Sequence, residues 1–195
     1  FVQAQEIAHD HGRGLDIIEI PLMSNAGFRM NPADRCYHCR KISAGFLKKL
    51  AAEHGLACIA DGINLSDTGG HRPGLRASTE EGIVHPFVEA GITKQDIRDI
   101  ARERGLTVWD KPSAACLASR IPYGDAITAS KLRRIENAEA YLAGLGIGQL
   151  RVRLHGNLAR IEVYREDRKK ILEQESAVVR HLTSLGFAYV TLDLE

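Results

Sequence analysis

The sequence predicts an α/β fold in two parts: a domain built on a parallel sheet at 1–124 and a small α+β domain at 125–195. Up to about residue 120, short apolar runs typical of buried strands alternate with segments of helical spacing, which is the pattern of βα units. After residue 125 the order becomes helix, two strands of alternating polarity, helix and strand. That order favours helices packed on an antiparallel sheet.

Apolar spacing and turn signals place the elements of the first part. In chain order they are a helix at 2–11, a buried strand LDIIEIPL at 15–22, a helix at 37–55, a buried strand at 56–62 and a helix at 93–105. The last of these begins at Thr93, whose capping box includes Asp96, and it ends at Gly105.

The second part has an equally clear pattern. It contains a helix at 128–146, a hairpin at 149–164, a helix at 165–186 and a final strand at 187–194. In the hairpin, apolar residues alternate strictly with polar ones and a Gly-Asn pair forms the turn.

Composition is that of an ordinary globular protein. The chain has 195 residues, 44% of them hydrophobic and 26% charged, and a net charge of +1, which gives no electrostatic basis for binding nucleic acid or a membrane. No apolar run approaches the roughly 20 residues that span a bilayer. Four cysteines do not make a disulfide framework in a chain of this length. We therefore expect a cytoplasmic protein whose cysteines bind a metal, act in catalysis or are buried.

Three polar loops, at 25–36, 62–78 and 110–124, follow strand-like segments. Because ligands bind beyond the carboxyl ends of parallel strands, we expect these loops to meet at one edge of the sheet. The stretch DGINLSDTGGHRPG supplies the polar candidates Asp61, Gly62 and Arg72. Asp61-Gly62 is either a close approach to a nucleotide or a simple turn.

The stretch DRCYHCRKI contains Cys36 and Cys39, a C-x-x-C pair among positive charges. Such a pair can be half of a structural zinc site, a thioredoxin-type redox pair or two ordinary loop cysteines. A structural zinc site usually has a second pair of ligands, and the sequence has no second C-x-x-C.

Cys116 lies in the polar stretch KPSAACLASR, where nearby Arg120 and Lys111 favour a thiolate. Cys58 lies in the apolar run LACIAD and is expected in the core. Three loop cysteines with one open position suit a [4Fe–4S] cluster that keeps one iron free for another ligand.

Arg151 and Arg153 point to the same face of the hairpin. Two arginines on one face can bind a phosphate. Cross-strand pairing on a solvated face, with Arg160 and Glu162 on the second strand, explains the pattern equally well.

Taken together, these motifs resemble the LarE-type sulfur transferases of the PP-loop ATP pyrophosphatase superfamily. The matching pieces cover nearly the whole chain in order: DRCYHCR, DGINLSDTGGHRPG, GITKQDIRDIARERGLTVWDKPSAACLASRIPYG, LRVRLHGNLARIEV and GFAYVTLDL. The resemblance implies an adenine-nucleotide α-hydrolase-like, Rossmann-like sheet, followed by a small α+β domain for substrate binding and oligomerisation.

The resemblance also implies an activity. Such an enzyme uses ATP and Mg²⁺ to adenylate a carboxylate of a pyridinium dicarboxylate mononucleotide, releases pyrophosphate, and then delivers sulfur to give a thiocarboxylate. The product enters the nickel-pincer nucleotide cofactor of lactate racemase. The family tends to form homo-oligomers, and its substrate is this mononucleotide rather than a nucleic acid.

The family has two versions. One carries a single cysteine in the loop that holds Cys116 here, and this cysteine gives up its own sulfur. The other carries three cysteines, which resemble Cys36, Cys39 and Cys116, around a [4Fe–4S] cluster whose free iron binds the transferable sulfide. This sequence has the three-cysteine pattern, so we expect the cluster version, with Cys116 as sulfur donor the fallback.

Other site residues are implied position by position. Arg151, Arg153, Glu162 and Glu139 of this chain resemble family residues that lie near the substrate phosphate and metal. Ser119 and Arg120 resemble the family loop that faces the substrate. One piece of the family pattern is absent from this sequence: the phosphate loop S-G-G-x-D-S, which would precede Phe1. We therefore expect the 195-residue chain to be truncated and inactive by itself.

Two other functions remain open. A tRNA thiolation enzyme of the same superfamily also pairs a C-x-x-C with a distant cysteine and uses an iron–sulfur cluster, but this chain has no basic stripe with interleaved aromatics. A zinc-stabilised binding module would contain one tightly bound zinc and would unfold with chelators.

Overall fold

A computed structural model describes residues 2–112 and 115–195. Residues 113 and 114 of the third predicted loop lie outside the described part. The helices are α1 Val2–Asp10, α2 Ala26–Arg29, α3 Arg35–Glu53, α4 Pro73–Glu80, α5 Pro86–Glu89, α6 Lys94–Glu103, α7 Ala129–Gly144, α8 Arg168–Glu173 and α9 Glu175–Ser184. The strands are β1 Leu150–His155, β2 Leu158–Val163 and β3 Tyr189–Leu192. Short 3₁₀ turns occupy Leu22–Ser24, Leu65–Asp67, Leu117–Arg120 and Arg165–Asp167.

The helices predicted at 2–11, 37–55 and 93–105 form as α1, α3 and α6, and α6 begins as predicted, whereas α2 and most of α4 lie in segments predicted as loops. The Thr93 hydroxyl accepts a hydrogen bond from the Asp96 amide, and the Asp96 carboxylate accepts one from the Thr93 amide at 2.8 Å. The Thr93 hydroxyl also donates to the Asp96 carboxylate at 2.6 Å, and this bond, followed by the one from the Thr93 amide, lowers the pKa of Asp96. The capping box is thereby confirmed.

The two strands predicted in the first part do not form among the described residues, so the predicted parallel sheet is not seen there. Residues 15–21 form neither a helix nor a strand, and Leu15 and Ile17 are about half exposed. In 56–62 the only pairing is a parallel bridge between Ala60 and Val84. An apolar run becomes a strand only where a neighbouring backbone completes its hydrogen bonds. The chain is a mixed α/β structure, and the adenine-nucleotide α-hydrolase-like sheet stays a prediction.

Cys58, predicted in the core, is exposed. The prediction was wrong because it assumed that 56–62 forms a buried strand. No such strand forms there.

The C-terminal sheet has the order β1-β2-β3. β1 and β2 form the predicted antiparallel hairpin through Gly156 and Asn157, whereas β3 pairs with β2 in parallel. The expected fully antiparallel sheet was therefore wrong. The chain between β2 and β3 contains α8 and α9, and a helical crossover of this length lets the returning strand run parallel.

The core lies where this sheet meets α7 and α9. Its fully buried members include Ile135, Leu142, Val152, Leu154, Ile161, Val178, Leu182 and Phe187. Phe28, Ala118 and Ile121 join the same cluster from upstream. The segments that carry the cysteines thus pack directly on this core.

The predicted domain boundary near residue 124 stays a prediction. Within 2–112 and 115–195, no helix is long and apolar enough to span a membrane.

Candidate functional site

The three cysteines that the sequence placed in loops line one cleft of about 610 Å³, although two of them lie in α3. Cys36 and Cys39 come from the first turns of α3, and Cys116 immediately precedes the Leu117–Arg120 turn. The cleft wall also contains Arg35, Arg40, Asp67, His71, Arg72 and Tyr123. Side chains from all three polar loops therefore meet in one concave surface.

Cys36 and Cys39 lie three residues apart on one side of α3, where helical geometry makes them neighbours. Cys36 is exposed and Cys39 is partly buried. Burial raises the pKa of the Cys39 thiol, and the nearby Cys116 and Cys36 raise it further, against a smaller opposing hydrogen bond with Ser43. Cys116 lines the same cleft as this pair. Free Cys39 is thus held as a thiol, and a metal would have to displace its proton.

Helix α3 is anchored beside this cleft by ion pairs to the end of α4. Lys41 Nζ lies 2.9 Å from Glu80 Oε2 and 2.6 Å from Glu81 Oε1. The Tyr37 hydroxyl donates to Glu80 at 2.6 Å. Packing of α4 against α3 places the preceding loop, with Arg72, along the edge of the cleft.

Asp61, a candidate for nucleotide binding, has partners on both carboxylate oxygens. Arg40 donates to Oδ2 at 2.9 Å, and His85 Nδ1 lies 2.8 Å from Oδ1. The Ile63 amide also donates to Oδ1 at 3.2 Å, as in an Asx turn over Gly62. Asp61 therefore fixes the shape of this loop.

Arg120 and Glu139 form a largely buried ion pair. Arg120 Nε donates to Glu139 Oε1 at 2.8 Å and Nη2 donates to Oε2 at 3.2 Å. The Val152 amide of β1 donates to the same Oε1 at 2.9 Å. Because α7 carries Glu139, the pair links the cysteine loop to both α7 and β1.

The hairpin arginines lie in different surroundings. Arg153 Nε donates to Glu162, and its Nη1 donates to the Ser119 carbonyl at 3.1 Å. Arg160 also donates to Glu162, at 2.8 Å. Burial opposes ionisation of Glu162, but the two arginines outweigh it and lower its pKa.

Arg151 lies away from the cysteines, beside a small cavity of about 140 Å³ lined also by Gln149, Glu162 and Tyr164. The Arg151 side chain has no hydrogen-bond partner among the described residues. The structure therefore brings Ser119, Arg120, Glu139, Arg153 and Glu162 into one hydrogen-bonded group beside the cysteine cleft, and leaves Arg151 outside it.

The described donors suit a cluster better than a single ion. Within 2–112 and 115–195, no three Cys, His, Asp or Glu side chains are grouped so that they could hold one metal ion. A cuboidal [4Fe–4S] cluster is different, because each thiolate binds a different iron and the sulfurs need not converge. Three thiols around one roomy, cation-lined cleft fit that requirement.

Binding of Mg²⁺ at the expected carboxylates stays a prediction. Both carboxylates of the expected metal site, Glu139 and Glu162, are hydrogen-bonded to arginines.

Several residues in or beside the cleft were not predicted from the sequence. Asn31 and Arg35 are buried polar residues, and Tyr123 exposes its ring to the cleft. The signal for Asn31 is weak, since Asn-Pro reads as an ordinary turn. Arg35 looked like one of several solvated cations around the C-x-x-C pair.

Comparison with known proteins connects this site with a family, although no family model matches the chain. The chain is 40% identical over 195 residues to an uncharacterized protein of Synechocystis sp., covering 71% of it. It is 34% identical over 165 residues to an uncharacterized protein of Methanocaldococcus jannaschii, covering 64% of it. It is also 36% identical, over 194 residues and 100% of its own length, to the pyridinium-3,5-bisthiocarboxylic acid mononucleotide synthase of Lactiplantibacillus plantarum. Because the match spans 70% of that synthase, this chain belongs to the LarE-type family of sulfur transferases.

Proposed function

We propose that this protein transfers sulfur to a pyridinium dicarboxylate mononucleotide in an ATP-dependent reaction and forms the thiocarboxylate. The observation that carries the proposal is the meeting of Cys36, Cys39 and Cys116 in one cleft. Membership of a family with a named bisthiocarboxylic acid mononucleotide synthase supports the substrate class.

The proposed reaction has two steps. A carboxylate oxygen of the substrate attacks the α-phosphorus of ATP, and pyrophosphate leaves. Sulfide then attacks the acyl carbon, and AMP departs with the former carboxylate oxygen. Adenylation is needed because a carboxylate oxygen is a poor leaving group, whereas AMP is a good one. Sulfur that enters as sulfide requires no oxidant or reductant.

Cys36, Cys39 and Cys116 would hold a [4Fe–4S] cluster, each through a different iron. When bound, the cluster would supply sulfide at the one iron that no thiolate ligates. Arg35 and Arg40 line the same cleft and would offset the negative charge of thiolates and sulfide. The raised pKa of Cys39 makes metal binding release a proton there.

Arg151 is the candidate for the substrate phosphate. Its guanidinium lies at a cavity and has no partner among the described contacts, whereas Arg153 is held by Glu162 and Ser119. A guanidinium can bind a phosphate through two parallel hydrogen bonds.

Metal and sulfide analysis of anaerobically purified protein tests the cluster. We expect about four iron and four sulfide per chain, lost in Cys36→Ala and retained in Cys58→Ala, whose thiol is exposed elsewhere. Zinc in place of iron would contradict sulfur transfer. Protein without metal would point to Cys116 as donor, which the mass of the Cys116 peptide after turnover would reveal.

Binding of the substrate mononucleotide, measured by calorimetry, tests Arg151. Arg151→Ala should weaken binding about tenfold or more, as expected for a lost charged hydrogen bond. Arg165→Ala removes an exposed arginine outside the cavity and serves as the matched control. Equal affinities for the two variants would argue against a phosphate at Arg151.

A further inference from the structure

We infer that Asn31 and Arg35 are positioning residues that hold Cys116 against the Cys36–Cys39 pair. The inference deepens the proposed function, on which its relevance to sulfur transfer rests. It also makes a claim about the thiols themselves that can be tested without metal or substrate.

Arg35 connects the two cysteine segments directly. It precedes Cys36 in the chain, and its side chain is 4% exposed. Its Nη1 donates to the Ala118 carbonyl at 3.0 Å, two residues beyond Cys116, and also to Asn31 Oδ1. A buried guanidinium needs such partners, since an unpaired one would carry a large desolvation cost. One side chain thus sets the spacing between the start of α3 and the turn after Cys116.

Asn31 holds the far side of the same segment. It is fully buried and has a φ of 55°, a left-handed conformation that asparagine tolerates better than most residues. Its Nδ2 donates to the carbonyls of Ile121, Pro122 and Asp125 at 3.3, 2.7 and 3.0 Å. Its own carbonyl accepts a hydrogen bond from the Gly124 amide at 2.9 Å. Asn31 therefore ties residues 121–125 to the loop that leads into α3.

A second buried arginine approaches Cys116 from the other direction. Arg120 is 5% exposed, and its Nη1 donates to the Ala115 carbonyl at 3.2 Å while Glu139 anchors the rest of the guanidinium. The backbone is thus held one residue before Cys116 and two residues after it. Among the described residues, Arg35 and Asn31 are the side chains whose hydrogen bonds connect this held segment to the start of the helix that carries the other two thiols. They therefore help to set the distance between the thiol groups.

A short bifunctional thiol reagent can measure this arrangement in the full chain. The background is Cys58→Ser, which removes the fourth thiol. Peptide mapping by mass spectrometry separates the Cys39–Cys116 cross-link from the Cys36–Cys39 cross-link. The latter forms within one helix and is an internal reference, because general loosening of the protein would affect both products.

We expect Arg35→Lys, which keeps the charge but loses the fork, to lower the ratio of the Cys39–Cys116 to the Cys36–Cys39 product about tenfold. Asn31→Asp keeps the acceptor for Arg35 but loses the donations to 121–125, and should lower the ratio in the same direction. Arg29→Lys is the control, because the guanidinium of this exposed arginine donates to the Met23 carbonyl and to no residue of the cysteine segments within the described part of the chain. Circular dichroism identifies variants that fold.

If folded Arg35→Lys gives the same ratio of the two cross-linked products as the parent, the inference is overturned. If Arg35→Lys does not fold, the same comparison is made with Asn31→Asp. Iron analysis of the same preparations separates this inference from the proposed function. A parent that cross-links but binds no iron supports the positioning role and contradicts the cluster. A folded Arg35→Lys that keeps both the ratio and the iron contradicts the positioning role alone.

Discussion

Glu139 carries three hydrogen bonds that link separate elements, two from Arg120 and one from the β1 backbone. The two side chains of the ion pair are only 6% and 17% exposed. Removing one partner of a buried pair leaves an uncompensated charge, which is more damaging than losing a surface contact.

Glu139→Gln should therefore lower the free energy of unfolding by about 3 kcal/mol. Urea denaturation measures the change. Glu173→Gln disrupts an exposed pair with Lys169 and should change stability by less than about 0.5 kcal/mol. Similar effects of the two variants would mean that the Arg120–Glu139 pair is solvated rather than buried.

Glu81 provides a pH-dependent contact between α3 and α4. Hydrogen bonds from Lys41 and then Lys48 lower its pKa from 4.5 to about 2. The folded protein thus holds the carboxylate ionised more strongly than the unfolded chain does. The resulting stability is fully present above pH 4.5 and is lost as the pH falls towards 2.

We expect the stability difference between the parent and Glu81→Gln to shrink steadily as the pH falls through that window. Thermal melts at several pH values measure it. Asp99→Asn, on an exposed pair outside this network, should show no comparable trend. A difference independent of pH would exclude the ionised carboxylate as its source.

At the scale of the elements, α6 depends on its capping box more than on its packing. Of its ten residues only Ala101 is buried. Thr93→Ala should cost about 1 kcal/mol, because the Asp96 amide loses its acceptor. Hydrogen exchange of the α6 amides should rise accordingly. Thr183→Ala, at an exposed position inside α9, is the control, and equal exchange in both variants would contradict the cap's role.

At the scale of the whole molecule, Phe28 joins the cysteine-bearing segments to the C-terminal core. It is 4% exposed and packs in the same cluster as residues of α7 and the sheet. Phe28→Ala should destabilise the protein by about 3–5 kcal/mol. The one tryptophan of the sequence, Trp109, reports on the upstream part, and circular dichroism reports on all helices.

If the core unites the chain, both signals should move to the same lower urea midpoint in Phe28→Ala. A shift in only one signal would show two parts that unfold independently, as the predicted boundary near residue 124 would allow. Leu172→Ala, at an exposed apolar side chain of α8, controls for the loss of apolar surface alone.

Local patterns were sufficient wherever the determining interactions are near in sequence. The α6 capping box depends on residues three apart, and the hairpin depends on alternation around a Gly-Asn turn. Both could be predicted because each hydrogen bond or burial pattern repeats within a few residues. The grouping of Cys36 and Cys39 on one side of α3 follows from helical spacing for the same reason.

Strand pairing was not local and was predicted less well. The apolar runs at 15–22 and 56–62 have strand composition, but a run forms a strand only beside a neighbour that accepts and donates its backbone hydrogen bonds. The direction of β3 likewise depends on how the α8–α9 crossover packs. The sequence alone does not reveal which backbone lies beside which.

The sequence by itself determined helices α1, α3, α6 and α7, the hairpin and the set of thiols that could share a ligand. Only the tertiary structure decided how those thiols are held together, because Arg35 and Asn31 act on carbonyls 83 and 90 to 94 residues away. The tertiary structure also decided that Glu139 pairs with Arg120 and that Arg151 has no partner among the described residues. Buried polar groups need hydrogen-bond partners, which often lie far away in the sequence. The local sequence around such a partner does not show that it will be one.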